Sequence, residues 1–210
     1  EKFYFPAAIN EPLGLETLAA FLRKSHEVKI LDAVGQGWYD YWKNSRWPNT
    51  IFQGLGPKQI IERIENIKPE VIGITWLFSG QNNSVSLVGK AIKKTFPQIR
   101  LLAGGPHPSI NPRKVLLENS YLDIVVYGEG EITLKELLDT KFSQLDKTRG
   151  IAYRQGEKIF INQPREPIKN LNVVPLPARD LLAYKNYAKQ NFYIFIYHRL
   201  KKLGLKENNL

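Results

Sequence analysis

The sequence predicts an α/β fold: a doubly wound parallel sheet of about five strands, followed by a β-hairpin and an extended Pro-rich connector. Three observations carry that expectation. Four nearly continuous apolar runs, "EVKILDA", "EVIGITWL", "IRLLAGG" and "LDIVVYGEGE", read as strands buried on both faces. The segments between them repeat apolar residues at helical spacing. Strand and helix alternate over about residues 1–140, the pattern of a parallel sheet covered on two sides.

The elements follow in order. "KFYFPAAIN" is a poorly represented first strand, as though the chain began partway into it. In "PLGLETLAAFLRKS", Leu15, Leu18, Ala19 and Leu22 share one helix face, and Pro12 suits the first turn. "EVKILDA" then runs as a strand to Asp32, before a long, aromatic, polar insertion, "VGQGWYDYWKNSRWPNTIFQGLG". A helix from near Pro57 carries Ile60, Ile64 and Ile67 on one side, and a third covers roughly 83–95, stopping before Pro97. Asn111 and Pro112 read as the N-cap and first turn of a short helix. "LDIVVYGEGE" leads into a helix bearing Leu134, Leu137 and Leu138. "GIAYRQGEKIFIN" alternates around a glycine turn, as a hairpin does, and "QPREPIKNLNVVPLPARDLL" is the connector. The expected divisions are 1–145 for the α/β domain, 146–182 for hairpin and connector, and 183–210 for a tail of unassigned structure.

Composition narrows the function classes. The 210 residues hold no cysteine, which excludes disulfides, thiolate zinc sites and iron–sulfur clusters from this chain. No Met occurs, even at position 1, so the natural start is expected elsewhere. No run approaches 18 apolar residues and no leader pattern is visible, so the expectation is a cytoplasmic protein without a membrane partner. The net charge of +10 is spread thinly, densest in "KAIKK" and "HRLKKLGLK", with no basic stretch interleaved with stacking aromatics. A solvated surface is expected, and no nucleic-acid partner.

In an open parallel sheet, ligands sit outside the carboxyl ends of the strands. That rule selects "LDAVGQG", "WLFSGQ", "AGGPHPS" and "YGEGE". Gly104, Gly105, Gly128 and Gly130 let a bulky ligand approach the backbone, or else only make tight turns. His107 has no second His or Cys beside it and reads as a hydrogen-bonding loop residue, not a metal ligand. Glu129 and Glu131 suit a helix start. No Ser/His/Asp set, Walker-type loop or H-E-x-x-H helix is present, so no catalytic residue is expected. G-x-G-x-x-G is missing after the first strand, and the acidic pair, phosphoacceptor Asp and Lys of a receiver domain are missing too.

Taken in order, "EPLGLETLAAFLRKSHEVKILDA", "EVIGITWLFSGQ", "IRLLAGGPHPS", "LDIVVYGEGE", "RGIAYRQGEKIFIN" and "NLNVVPLPARDLL" resemble the N-terminal half of the cobalamin-binding radical-SAM proteins, over about residues 11–182. The resemblance implies a Rossmann-like cobalamin-binding domain. In full-length relatives it precedes a barrel that carries a C-x-x-x-C-x-x-C iron–sulfur cluster and cleaves S-adenosylmethionine. Many such proteins methylate unreactive carbon or phosphorus centres. This chain departs from them in having no cysteine and in closing with "NFYIFIYHRLKKLGLKENNL", so a lone domain, a fragment or a truncated gene product without its own catalysis is expected.

The resemblance further implies cobalamin held base-off, with its nucleotide tail in the sheet edge and no protein histidine on cobalt. "DAVGQG", from Asp32 to Gly37, mimics the D-x-H-x-x-G spacing with Val34 in the histidine's place, an accidental match. Ser79, Gly80 and Gln81 are expected to meet the tail, and Gly104, Gly105 and Gly128 to line its slot, with Gly130 nearby. "TWLF", residues 75–78, would pack beneath the corrin, although Trp76 and Leu77 suit plain core equally well. His107 and Glu129 would hydrogen-bond amide or tail groups. A separate radical-SAM barrel, or self-association through "FYIFIYHRL", would supply a further partner. The rival readings are a remnant or interaction module without cofactor and a small-nucleotide or sugar-phosphate binder.

Overall fold

The structure is a computed structural model that describes residues 9–183 and 187–189. Most of the expected first strand and most of the tail 183–210 lie outside the described residues. The chain divides into two compact units, one of residues 1–16, 29–56 and 178–210, the other of residues 17–28 and 57–177.

The first unit holds the start of helix α1 (Leu13–Leu22), then α2 (Ala33–Gln36) and a hairpin of β1 (Tyr41–Asn44) and β2 (Trp47–Gln53). Glycine at 35 is required by crowding, since a Cβ there would lie 2.3 Å from Asp32 Oδ2. Asp32 caps α2 by accepting from Val34 N, and its other oxygen accepts from the Tyr187 hydroxyl. The hairpin lies inside the segment expected as a polar insertion. Its turn is closed by Asn44 Oδ1, which accepts from Arg46 N at 2.9 Å. Across the strands Trp42 stacks on Phe52, with ring centroids 4.3 Å apart.

The second unit holds α3 (Pro57–Ile67), β3 (Val71–Thr75), α4 (Asn82–Thr95), β4 (Arg100–Gly104), α5 (Pro106–Ile110), α6 (Pro112–Glu118), β5 (Ile124–Val126), α7 (Glu131–Asp139), β6 (Ile151–Gln155) and β7 (Lys158–Ile161). One five-stranded sheet runs β3-β4-β5-β6-β7, parallel across the first three strands and antiparallel across the last two pairings. Residues 101–103 of β4, 124–126 of β5 and 151–153 of β6 are buried in succession, so the sheet is covered on both faces there, as the apolar runs predict for β4 and β5; β3, expected to be equally buried, is only half-buried. One face packs Leu102, Ile124, Val126, Ile151 and Tyr153 against Leu137 of α7, while α6 packs against β5, β6 and β7.

The predicted helices are present, as is the Asn111 cap, which accepts from Lys114 N. One expectation needs correction. Residues 27–32 join no ladder among the described residues; a strand exists only by its neighbour, and the preceding apolar segment lies mostly outside them. The β6–β7 hairpin is paired to the sheet, through Ile124↔Tyr153 and Val126↔Ile151. Ile67, at the end of α3, is exposed, unlike Ile60 and Ile64. Beyond β7 the connector runs over the surface, with Leu171 and Leu176 exposed and Arg165 tied to Thr133 and Glu136. Among the described residues no helix is long and apolar enough to cross a membrane.

Gly89 of α4 faces the buried ring of Tyr121, where a Cβ would lie 2.3 Å from Cε2. The ring is fixed by its hydroxyl, which donates to Asn119 Oδ1 at 2.8 Å. Gly89→Ala gains about 1 kcal/mol of helix propensity but loses about 1–3 kcal/mol to overpacking, so urea unfolding is expected to show a net loss. In a Tyr121→Leu background the same change should no longer destabilise.

Glu16 offers a second test. It is fully buried, and neither carboxylate oxygen has a hydrogen-bond partner among the described residues. Burial, followed by the neighbouring Glu11 carboxylate, pushes its pKa up to about 7. A raised folded pKa means that this stability is complete below the ordinary value of 4.5 and is lost as pH rises through about 7. Glu11 is shifted the opposite way by Arg179, and so titrates below that window. Urea midpoints should therefore fall between pH 5 and 8 in the unaltered chain, and fall less in Glu16→Gln.

Candidate functional site

The parallel strands β3, β4 and β5 end side by side, at Thr75, Gly104 and Val126. Three turns leave this single edge: 76–81, 105–109 and 127–130. Each is shaped by a local constraint. Trp76 N donates to Gly104 O at 2.8 Å, and His107 N donates to Trp76 O at 3.2 Å, so the first two turns are joined backbone to backbone. Gly105 sits at φ +113°, and a Cβ on it would lie 2.8 Å from Trp76 O. Only glycine meets both conditions.

Side chains complete the join. Ser79 Oγ and His107 Nδ1 share a hydrogen bond of 3.0 Å. The imidazole lies on the Trp76 indole, with centroids 4.4 Å apart. Trp76 itself is 1% exposed and its Nε1 donates to Phe78 O, whereas Leu77 is 42% and Phe78 69% exposed. Gln81 Oε1 accepts from both Leu77 N and Phe78 N, at 2.8 and 3.2 Å, and so holds the 76–81 turn closed. On the far side Ser109 Oγ donates to Gly105 O at 2.8 Å and accepts from Gly128 N at 3.2 Å.

Of the residues singled out from the sequence, Trp76, Ser79, Gln81, Gly104, Gly105, His107 and Gly128 come together here, as do the exposed Leu77 and Gly80. A Cβ added at Gly80 or Gly128 would meet nothing within 4 Å among the described residues, which leave space open beside both. Glu129 is engaged elsewhere: its carboxylate accepts from Ile168 N of the connector at 2.6 Å. Gly130 precedes α7 and packs close to Leu18, which a Cβ would approach to 3.2 Å. Ser109 was not among the candidates, and its place two residues after His107 on α5 was the available signal; Phe78, the last residue of the "TWLF" stretch, is exposed. Among the described residues, no group of three or more His, Asp or Glu side chains is placed to hold a metal ion.

The chemistry of this edge is that of a holder. It presents bared backbone, an exposed apolar pair and hydrogen-bonding side chains around open space.

The family model described as B12 binding domain matches residues 7–138. An uncharacterized methyltransferase of Pyrococcus horikoshii is 32% identical over 178 residues, covering 84% of this chain and 35% of that protein. The cytidylyl-2-hydroxyethylphosphonate methyltransferase of Streptomyces wedmorensis is 33% identical over 161 residues, 75% of this chain and 30% of the relative. The chain thus spans about a third of the length of these curated relatives. Among solved structures, the cobalamin-dependent S-adenosylmethionine radical enzyme OxsB with aqua-cobalamin bound superposes with a TM-score of 0.67 at 22% identity, over 89% of this chain and 24% of that chain, a likeness of fold. With a sheet whose carboxyl edge is opened by glycine and a family model matched over most of its length, this chain belongs to the B12-binding domain family.

Proposed function

We propose that this domain binds cobalamin at the edge formed by the 76–81, 105–109 and 127–130 turns, and that it serves a protein of the radical-SAM methyltransferase type. The observation that supports the reading most strongly is the geometry of the glycine turns. Gly105 and Gly128 hold positive φ on neighbouring strand exits, and free space lies beside Gly80 and Gly128. A long, flexible polar arm fits beside such turns, because no side chain projects at Gly80 or Gly128. Relatives named as methyltransferases, and a bound aqua-cobalamin in a structure of the same fold, support the same ligand class.

In this reading Gly104, Gly105 and Gly128 line the slot for the detached nucleotide arm. Ser79 and Gly80 border it, while Gly130 serves packing against Leu18 and Leu134. Leu77 and Phe78, both exposed, cover the lower corrin face and exclude water from it, while buried Trp76 supports them and orients His107. His107 faces amide or arm groups through Nε2, since Nδ1 is held by Ser79. Gln81 and Glu129 act at one remove, by fixing the loop and the connector. Cobalt receives no histidine from the protein. When bound, cobalamin supplies a cobalt centre suited to methyl transfer. These 210 residues hold no cysteine, so they supply no thiolate ligand for an iron–sulfur cluster.

Incubation with hydroxocobalamin followed by gel filtration should yield a red protein peak with a base-off absorption spectrum. Colourless protein would overturn the reading, as would a base-on spectrum or one of histidine-ligated cobalt; a thermal shift with nucleotides alone would favour a nucleotide site. Gly80→Leu tests the location. Open space at Gly80 leaves stability within about 0.5 kcal/mol, while the larger side chain should weaken corrinoid binding by about tenfold or more in an absorbance titration.

A further inference from the structure

We infer that Ser109 is a positioning residue that sets the separation of the two glycine turns holding the corrinoid arm; the inference rests on the cobalamin reading above. The ladder between β4 and β5 stops at the Gly104–Val126 pair, and past that point the two turns are no longer paired as sheet. Ser109 carries the connection one step further. Its Oγ donates to Gly105 O at 2.8 Å and accepts from Gly128 N at 3.2 Å, so one hydroxyl uses both its donor and an acceptor to tie the turns.

The placement follows from α5. This helix has five residues, "PHPS" followed by Ile110, and two of them are prolines, which fix φ and stiffen it. Its two hydrogen-bonding side chains reach opposite ways: His107 back to Ser79 at the exit of β3, Ser109 forward to Gly128 at the exit of β5. One short rigid helix thereby brackets three strand exits. The hydroxyl at 109 is committed to protein, so its effect on a ligand passes through the position of Gly128 and not through direct contact.

This role separates from a purely structural one. Gly128 is exposed, so water replaces the hydroxyl at its N–H when Ser109 is cut back, and Gly105 O keeps the Ser109 backbone N–H at 3.2 Å. Removing the side chain therefore leaves folding nearly unchanged while freeing the 127–130 turn to drift. A Thr at 109 retains the hydroxyl and should retain the spacing.

The test is titration of the unaltered chain, Ser109→Ala and Ser109→Thr with hydroxocobalamin, alongside thermal unfolding of each. The expected result is binding about five- to tenfold weaker in Ser109→Ala with an unchanged unfolding midpoint, and near-normal binding in Ser109→Thr, the size of one neutral hydrogen bond. Equal binding in all three overturns the inference while leaving the cobalamin reading intact. Weaker binding that tracks a lowered unfolding midpoint, with no recovery in Ser109→Thr, also overturns it, since that marks a structural role. Absence of binding by the unaltered chain overturns the cobalamin reading and this inference with it.

Discussion

The constraint on which the site depends is the close approach of two neighbouring strand exits at Trp76 and Gly105. The Trp76 carbonyl lies where a Cβ of residue 105 would have to be, and the same carbonyl accepts from His107 N. Glycine is demanded there twice, by the contact and by φ +113°. With that approach in place, the indole is buried beneath the imidazole, and Leu77 and Phe78 are turned outward. A side chain at 105 would push these turns apart and with them the Ser79–His107 hydrogen bond.

Much of this was legible in the sequence, and the reasons differ by element. Strands covered on both faces must be apolar at successive positions, so "IRLLAGG" and "LDIVVYGEGE" could hardly be anything else. The edge itself was legible because glycine is costly inside regular structure and was concentrated where parallel strands end. The β6–β7 hairpin was legible as a hairpin but not as part of the sheet, since alternation around a glycine turn does not say which edge it joins. For α5, two prolines in five residues imitated a loop, although a proline in the first helical turn is well tolerated.

Polar side chains were the hardest to read. Gln81 and Glu129 lie beside the carboxyl edge of the parallel strands, and from sequence alone a loop-closing side chain looks the same as a ligand-binding one. What separates them is three-dimensional: both accept from backbone N–H groups of their own or a neighbouring segment. Ser109 illustrates the converse, an unremarked hydroxyl whose two bonds become visible only when two turns distant in sequence lie side by side. The aromatic hairpin of β1 and β2 escaped because its strands pair mainly with each other, without the continuous apolar run that marks a buried sheet.

The antiparallel pair at the end of the sheet has a topological consequence. β6 begins opposite Val126, at the glycine edge, and runs away from it; β7 reverses once more and finishes beside Ala152. Two reversals restore the original heading, so the polypeptide leaves the sheet on the side where the corrinoid would rest. A single strand in place of the pair would have released it at the opposite pole. The parity of the hairpin thus decides which end of the sheet the outgoing backbone serves, and residues 163–168 are delivered directly alongside the 127–130 turn.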